Sequence, residues 1–430
     1  MDRNEFRHAL RLGLGRAILY AAEGDTTPFR DVILDACLHC YAIDPQCEGT
    51  RADYMFDLID LLPDKDSYID ATLKSLADSA DDWDTRQRFR LAARWAMQGN
   101  DEAKRAMYAA YRLGPEAAES VGIEFLHLDG LQGLLFVTEQ IGRLLIANTR
   151  NVDLGWLMSV STDLFGQQVT SETLREAGAQ NQFIEAYRKA VEAPHSSSKP
   201  QDDSWINCAT YGQIRERLSK GTSTGFGHQL GRWGEKASDD DFQRAAYALE
   251  SSTDEQIQIG HLRIFSKRAF PLDVGILFRL AESGRNRQLY AALKALAQIT
   301  NPAVRNFAFE SIRLSLPARS YAIKLLSKNY KAGDHATALK WFDDEHKQET
   351  LHSWGMDLLD FWNHHPEDAS RVRMLLEVYE RGPCSFCRER VIADLIELNS
   401  LTENMAAECN WDANDETREL VGRATLGSAH

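Results

Sequence analysis

Apolar residues recur along this chain in helical order. Val372, Leu375, Leu376 and Tyr379 stand at i, i+3, i+4 and i+7, the spacing of one buried helical face. Leu289, Leu293, Leu296 and Ile299 follow a related spacing, as do Val391, Ile392, Leu395 and Ile396. Nearly every segment reads as a helix of about 10–15 residues closed by a short polar break. No sustained period-2 alternation is bounded by Asn-Gly or Asp-Gly turns, so strands have little support. The pattern predicts an all-α protein.

The helices are regularly placed. Asp84-Thr85-Arg86 is followed 18 residues on by Asp101-Glu102-Ala103-Lys104, and Arg287 is followed at the same distance by Arg305. One helix plus its turn every 18 residues makes a pair of about 36, near the period of helical-hairpin solenoids. A short helix with one apolar face needs neighbours to bury that face, and stacking supplies them. In Asn301-Pro302-Ala303-Val304-Arg305, Asn can cap free N–H groups while Pro at the first helical position gives up none that is needed.

That segment, with apolar Phe307, Ala308 and Ile312 behind it, resembles the second helix of a HEAT repeat, and Leu289–Ile299 resembles the helix before it. Cys387-Arg388-Glu389-Arg390-Val391 and Asn414-Asp415-Glu416-Thr417-Arg418 are weaker echoes. The resemblance is good for 242–330, fair for 366–425 and generic for 1–190, where a non-repetitive helical domain is the alternative. It implies a right-handed α–α superhelix, a HEAT-like helical-hairpin solenoid that divides into two halves. The expected domains are a helical-hairpin domain over 1–192, a Gly/Ser-rich linker or surface loop over 193–241, and a HEAT-like repeat domain over 242–430. The loop reading rests on PHSSSKP and on Gly221, Gly225, Gly227, Gly231 and Gly234. Trp205, Tyr211, Phe226 and Trp233 predict that the segment packs against something.

Composition narrows the class. With 27 Gly and 11 Pro among 430 residues, breakers are too few for an all-β chain. Charges at Asp2, Arg3, Glu5, Arg7, Arg11 and Arg16 leave no apolar core for a signal peptide. Glu139 and Arg143 interrupt the most apolar stretch, 130–146, arguing against a membrane span. Seven Cys in a chain large enough to need no staples favour a reducing compartment, so a cytoplasmic protein is expected.

The net charge of −15 argues against a general binder of nucleic acid or anionic membrane, but it is unevenly spread. Residues 261–331 hold 13 Lys and Arg against 3 Asp and Glu, a net of +10 between two acidic flanks. Arg263, Lys267, Arg268, Arg285, Arg287, Lys294, Arg305, Arg313, Arg319, Lys324 and Lys328 make up this basic stripe. Helical recurrence would align equivalent positions on one face, with Arg287 beside Arg305. Such a stripe attracts acidic protein segments or phosphates, unless neighbouring repeats neutralise it internally.

Other signals carry less chemistry. The glycine loop lacks the Gly-Lys-Ser/Thr ending of a P-loop and follows no predicted strand. Cys37 and Cys40 share a helical face and read as core. Cys384 and Cys387, behind Gly382-Pro383, sit in a first helical turn, where the helix dipole lowers a thiol pKa. His335, His346, His352, His364 and His365 lack the spacing of a helical metal site and read as interhelix packing with Trp341, Trp354 and Trp362.

The expectation is a non-enzymatic scaffold, with no cofactor, no metal and no membrane partner, whose concave face and 261–331 stripe bind an acidic protein. The alternative is a nucleic-acid-binding HEAT-like protein using the same stripe. Because some HEAT-like proteins are alkylpurine DNA glycosylases, the resemblance would then bring Trp233, Asp273 and Trp341 into consideration.

Overall fold

Several helices begin where the sequence supplies a cap. Asp2 accepts hydrogen bonds from Asn4 and Glu5 N–H and is answered by the Glu5 side chain, opening helix Arg3–Leu12 with a capping box. Asn301 accepts from Ala303 N–H with Pro302 at the first helical position, as its sequence predicts. In the computed structural model the chain is all-α, and no strand occurs among the described residues. Those residues are 1–78, 81–114, 118–147, 154–193, 203–220, 226–283, 286–314, 317–365 and 370–427.

Two compact units emerge, one of residues 1–195 with 383–430, the other of 196–382. In the first, the C-terminal segment is knitted to the N-terminal helices. The Arg388 guanidinium donates to Leu12 O at 2.6 Å and pairs with Asp412 at 2.7 Å, both side chains being essentially without solvent contact. Ala413 N–H donates to Gly13 O at 2.9 Å, and Arg16 pairs with Glu408 at 2.7 Å. A Cβ on Gly15 would lie 1.9 Å from Glu408 O, so the backbones meet where only glycine fits.

Helix Ala118–Ala147 needs a closer look. Ser120–Ala147 passes as a membrane span by length and composition, with mean hydropathy 1.2, despite Glu139 and Arg143. Its course is not that of a span. Gly130 has φ 58° and ψ −132°, a conformation open to glycine, and breaks the helix. A Cβ on Gly133 would fall 1.9 Å from Phe125 O, and one on Gly122 would fall 2.7 Å from Val137 Cγ1. The two arms therefore lie back to back as a hairpin, and the longer, 131–147, is short of the ~20 residues that cross a bilayer.

In the second unit, several side-chain bonds join residues about 30 apart in sequence. Gln288 bonds Gln258 and Lys328 bonds Gln298, each across 30 residues; Asn329 meets Asn301 across 28, Asp334 meets Arg305 across 29, and Asp357 meets Lys324 across 33. Many helices here are only 9–11 residues long. Where glycine content predicts a loop over 193–241, the structure has helices Tyr211–Ser219 and Phe226–Lys236. PHSSSKP, Gly221 and Gly225 lie outside the described residues. The apolar register at 372–379 also differs: Met374, Leu375, Val378 and Tyr379 are buried, while Leu376 faces solvent.

Candidate functional site

Helix Asn286–Leu296 buries Ala291, Ala292, Leu293, Ala295 and Leu296, which leaves Arg287, Tyr290 and Lys294 along its opposite side at i, i+3 and i+7. A short turn, Arg319–Tyr321, leads into helix Ala322–Ser327, where Ile323, Leu325 and Leu326 are buried and Lys324 and Lys328 are exposed. Helix Gln348–His364 buries Trp354, Leu358, Phe361 and Trp362, and turns Ser353, Asp357, Asp360 and His364 toward the same face. The three polar rows lie side by side: Tyr290 and Tyr321 meet edge to face at 6.1 Å, Lys328 Nζ donates to Gln298 Oε1 at 2.9 Å, and Lys324 Nζ lies 3.3 Å from Asp357 Oδ1.

The Lys324–Asp357 pair divides this face into two clefts of about 240 Å³ each. One is walled by Tyr290, Tyr321, Glu349 and Ser353; the other by Gln298, Ser327, Lys328 and His364. Burial pushes the Asp357 carboxyl up to about 6, Lys324 opposing the rise and Asp360 adding to it. Chemically the clefts offer two ammonium groups, two phenol rings and the carboxyls of Glu349, Asp357 and Asp360, of which that of Asp357 titrates just below neutrality.

The predicted stripe is thus divided. Lys324 and Lys328 line these clefts, and Arg287 and Lys294 are exposed on the helix that supplies Tyr290. The others serve elsewhere. Lys267 pairs with Glu235 at 3.2 Å, and Arg268 pairs with Asp239, donates to Ala237 O and lies over the Phe242 ring at 4.2 Å. Arg305 grips Asp334 through both terminal nitrogens and donates to Asn329 O at 2.8 Å. Arg319 lies 3.0 Å from Glu345 and 5.9 Å from the Trp354 ring centre. Arg263 packs over Gly227, Arg313 is exposed, and Arg285 lies outside the described residues.

The remaining candidates have structural surroundings. Buried Trp233 donates its indole N–H to Ala209 O at 2.8 Å. Asp273 accepts from Gly275 N–H, and Trp341 packs edge-on to Phe309 at 5.3 Å. His335 and His365 gather around Tyr330 and Phe361, with Tyr330 and His365 stacked at 4.1 Å. Cys37 is buried, while Cys40 lies just beyond the end of helix Arg30–Leu38. At the other Cys pair the pKa expectation is corrected. The Cys384 sulfur accepts from Cys387 N–H, and the Cys387 thiol is pushed up by its hydrogen bond with Cys384, by burial and by the nearby Glu48 carboxylate, which together outweigh the helix dipole.

Sequence reasoning missed Tyr290, Tyr321, Ser353 and Asp357. Their signal is present as i, i+3 and i+7 spacing with the cations, a polar row opposite each apolar one. Comparison of the chain with protein-family models, curated proteins and solved structures gives no match.

Proposed function

We propose that the second unit is a HEAT-like helical repeat that binds an acidic segment of a protein partner across the face built from 286–298, 319–328 and 348–364. The ladder of side-chain bonds at 28 to 33 residues supports the repeat, since in a stacked array each helical pair contacts the next at one fixed sequence offset. The observation that carries the binding reading is Lys324 and Lys328 with Tyr290 and Tyr321 around two adjoining clefts, with exposed Arg287 and Lys294 on the helix that supplies Tyr290. Aromatic and cationic side chains of this kind are the usual anchors of protein interfaces. Lys324 remains nearly half exposed beside Asp357 and keeps donors to offer.

The test is fluorescence anisotropy of a labelled deca-glutamate peptide on the full chain. Reversing Arg287→Glu with Lys294→Glu is expected to weaken binding about tenfold or more, with a modest dependence on salt. Reversing Arg268→Glu, at a residue already neutralised by Asp239, is expected to change it little. Equal affinity in the Arg287/Lys294 variant would sink the reading. A short DNA duplex that binds more tightly than the peptide, with log affinity falling steeply against log salt, would replace the protein partner with nucleic acid.

A further inference from the structure

A second site lies in the first unit and arises from a different piece of chemistry. Asp81 caps helix Asp82–Met97, which places Trp83 in its first turn and Arg86 one turn on. The Arg86 guanidinium lies over the Trp83 ring, 4.2 Å from its centre. Its Nε is buried and has no hydrogen-bond partner, and no carboxylate stands within ion-pair distance of it among the described residues. A guanidinium set over an indole, without a carboxylate partner, keeps its terminal donors for an oxyanion.

The neighbouring cation is differently placed. Arg90 Nη1 donates to Glu124 at 3.0 Å and Nη2 to Asp53 at 3.3 Å, with Arg94 on the far side of Asp53. Glu48 is engaged by Arg51, and Asp415 by Arg418. These acids of the cleft wall are neutralised in place, whereas Glu416 stands at the exposed rim, screened by water. Arg86 is therefore the half-buried charge that the wall leaves uncompensated. Burial, and Arg90 beside it, push the His127 pKa down, so at neutral pH its ring adds a donor and no charge.

Around these groups is a cleft of about 550 Å³, within the roughly 300–1,000 Å³ range of small-molecule sites. Trp156 forms another part of its wall with its ring 57% exposed, a large flat apolar surface of the kind that is normally covered. We propose that this cleft binds a small planar-ring molecule carrying one phosphate or carboxylate, the oxyanion on Arg86 and the ring against Trp156. Phosphate monoester and carboxylate share the fork geometry, and the probes below separate them.

The experiment is isothermal titration calorimetry of the full chain with phenyl phosphate, benzoate, neutral benzyl alcohol and cationic benzamidine. At least one anion is expected to bind, about tenfold or more tighter than benzyl alcohol or benzamidine. Preference for phenyl phosphate assigns a phosphate monoester; preference for benzoate assigns a carboxylate. Arg86→Ala should lose about tenfold or more, and Arg86→Lys should keep part of the affinity as a point charge without the fork. Trp156→Ala, at an exposed position that folding does not need, should weaken the preferred anion several-fold and so tests the site even if Arg86 variants misfold. Benzamidine binding more tightly than either anion, or no heat from either anion up to about 10 mM on folded protein, would overturn the proposal. So would unchanged affinity in folded Arg86→Ala.

Discussion

Asp357 is where a single residue gives unit two a measurable pH dependence. Its carboxyl is buried against Lys324, with Asp360 adding negative charge nearby, and it titrates near 6 when folded against an ordinary 3.8. The unfolded chain releases this proton more readily. The stability from this group is therefore fully present below about pH 4 and is lost as pH rises through 6. Asp357→Asn removes the term, so its stability relative to wild type should increase between pH 4 and pH 7, by on the order of 2 kcal/mol. Urea midpoints of both proteins at the two pH values check this, and an offset that stays constant with pH would refute it. The same residue marks the limit of sequence reading at this scale. The cations of 261–331 are legible as a surplus, but the acids that answer them, Glu235, Asp239, Asp334, Glu345 and Asp357, all lie outside that window. Charge summed within a window is blind to partners some 26 to 33 residues away, which only helix stacking brings together.

At the scale of the element, helices are legible because burial demands their period, whereas glycine has two opposite uses that composition does not separate. In helix Phe226–Lys236, Gly227, Gly231 and Gly234 follow one another at i, i+4 and i+7 and face the helix Glu255–Ile264 and the turn after it. They are close-packing positions rather than breakers. A Cβ at Gly234 would lie 2.0 Å from the Ile264 carbonyl oxygen, fixed backbone that cannot step aside. A Cβ at Gly227 would meet the Arg263 guanidinium at 2.5 Å, the far end of a flexible side chain. Gly234→Ala should therefore destabilise by about 1–3 kcal/mol, as overpacking does. Gly227→Ala should come out near neutral, because about 1 kcal/mol of helix propensity offsets the displaced arginine. Thermal denaturation of the two variants decides it: equal losses would mean that these helices do not meet through Gly234. Gly130 shows the opposite use, a glycine with open space around it whose conformation converts one long apolar run into two short helices.

The first unit departs from what a linear array would do. In an open repeat array each unit touches its neighbours, so loss of the last helices trims stability locally and leaves the first helices as they were. Here residues 383–430 supply Arg388 to Leu12, Glu408 to Arg16, Ala413 to Gly13, and Ser385 to Glu48 and Arg51. Arg51 is nearly fully buried, and it loses the Ser385 hydroxyl to which it donates when that segment is removed. Breaking one side of such a buried network typically costs about 3–5 kcal/mol, a large part of a domain's net stability. None of this was visible in the sequence, where the resemblance to repeats grows weaker toward both ends and no local pattern links position 13 to position 413. A chain ending at residue 382 should therefore lose amide protection in helices Arg3–Leu12 and Ala52–Asp60, hundreds of residues from the cut. Hydrogen exchange read by mass spectrometry resolves both peptides. Native protection there in the shortened chain would mean that the N-terminal helices hold themselves, as repeats in an open array do, and that the long-range bonds add little.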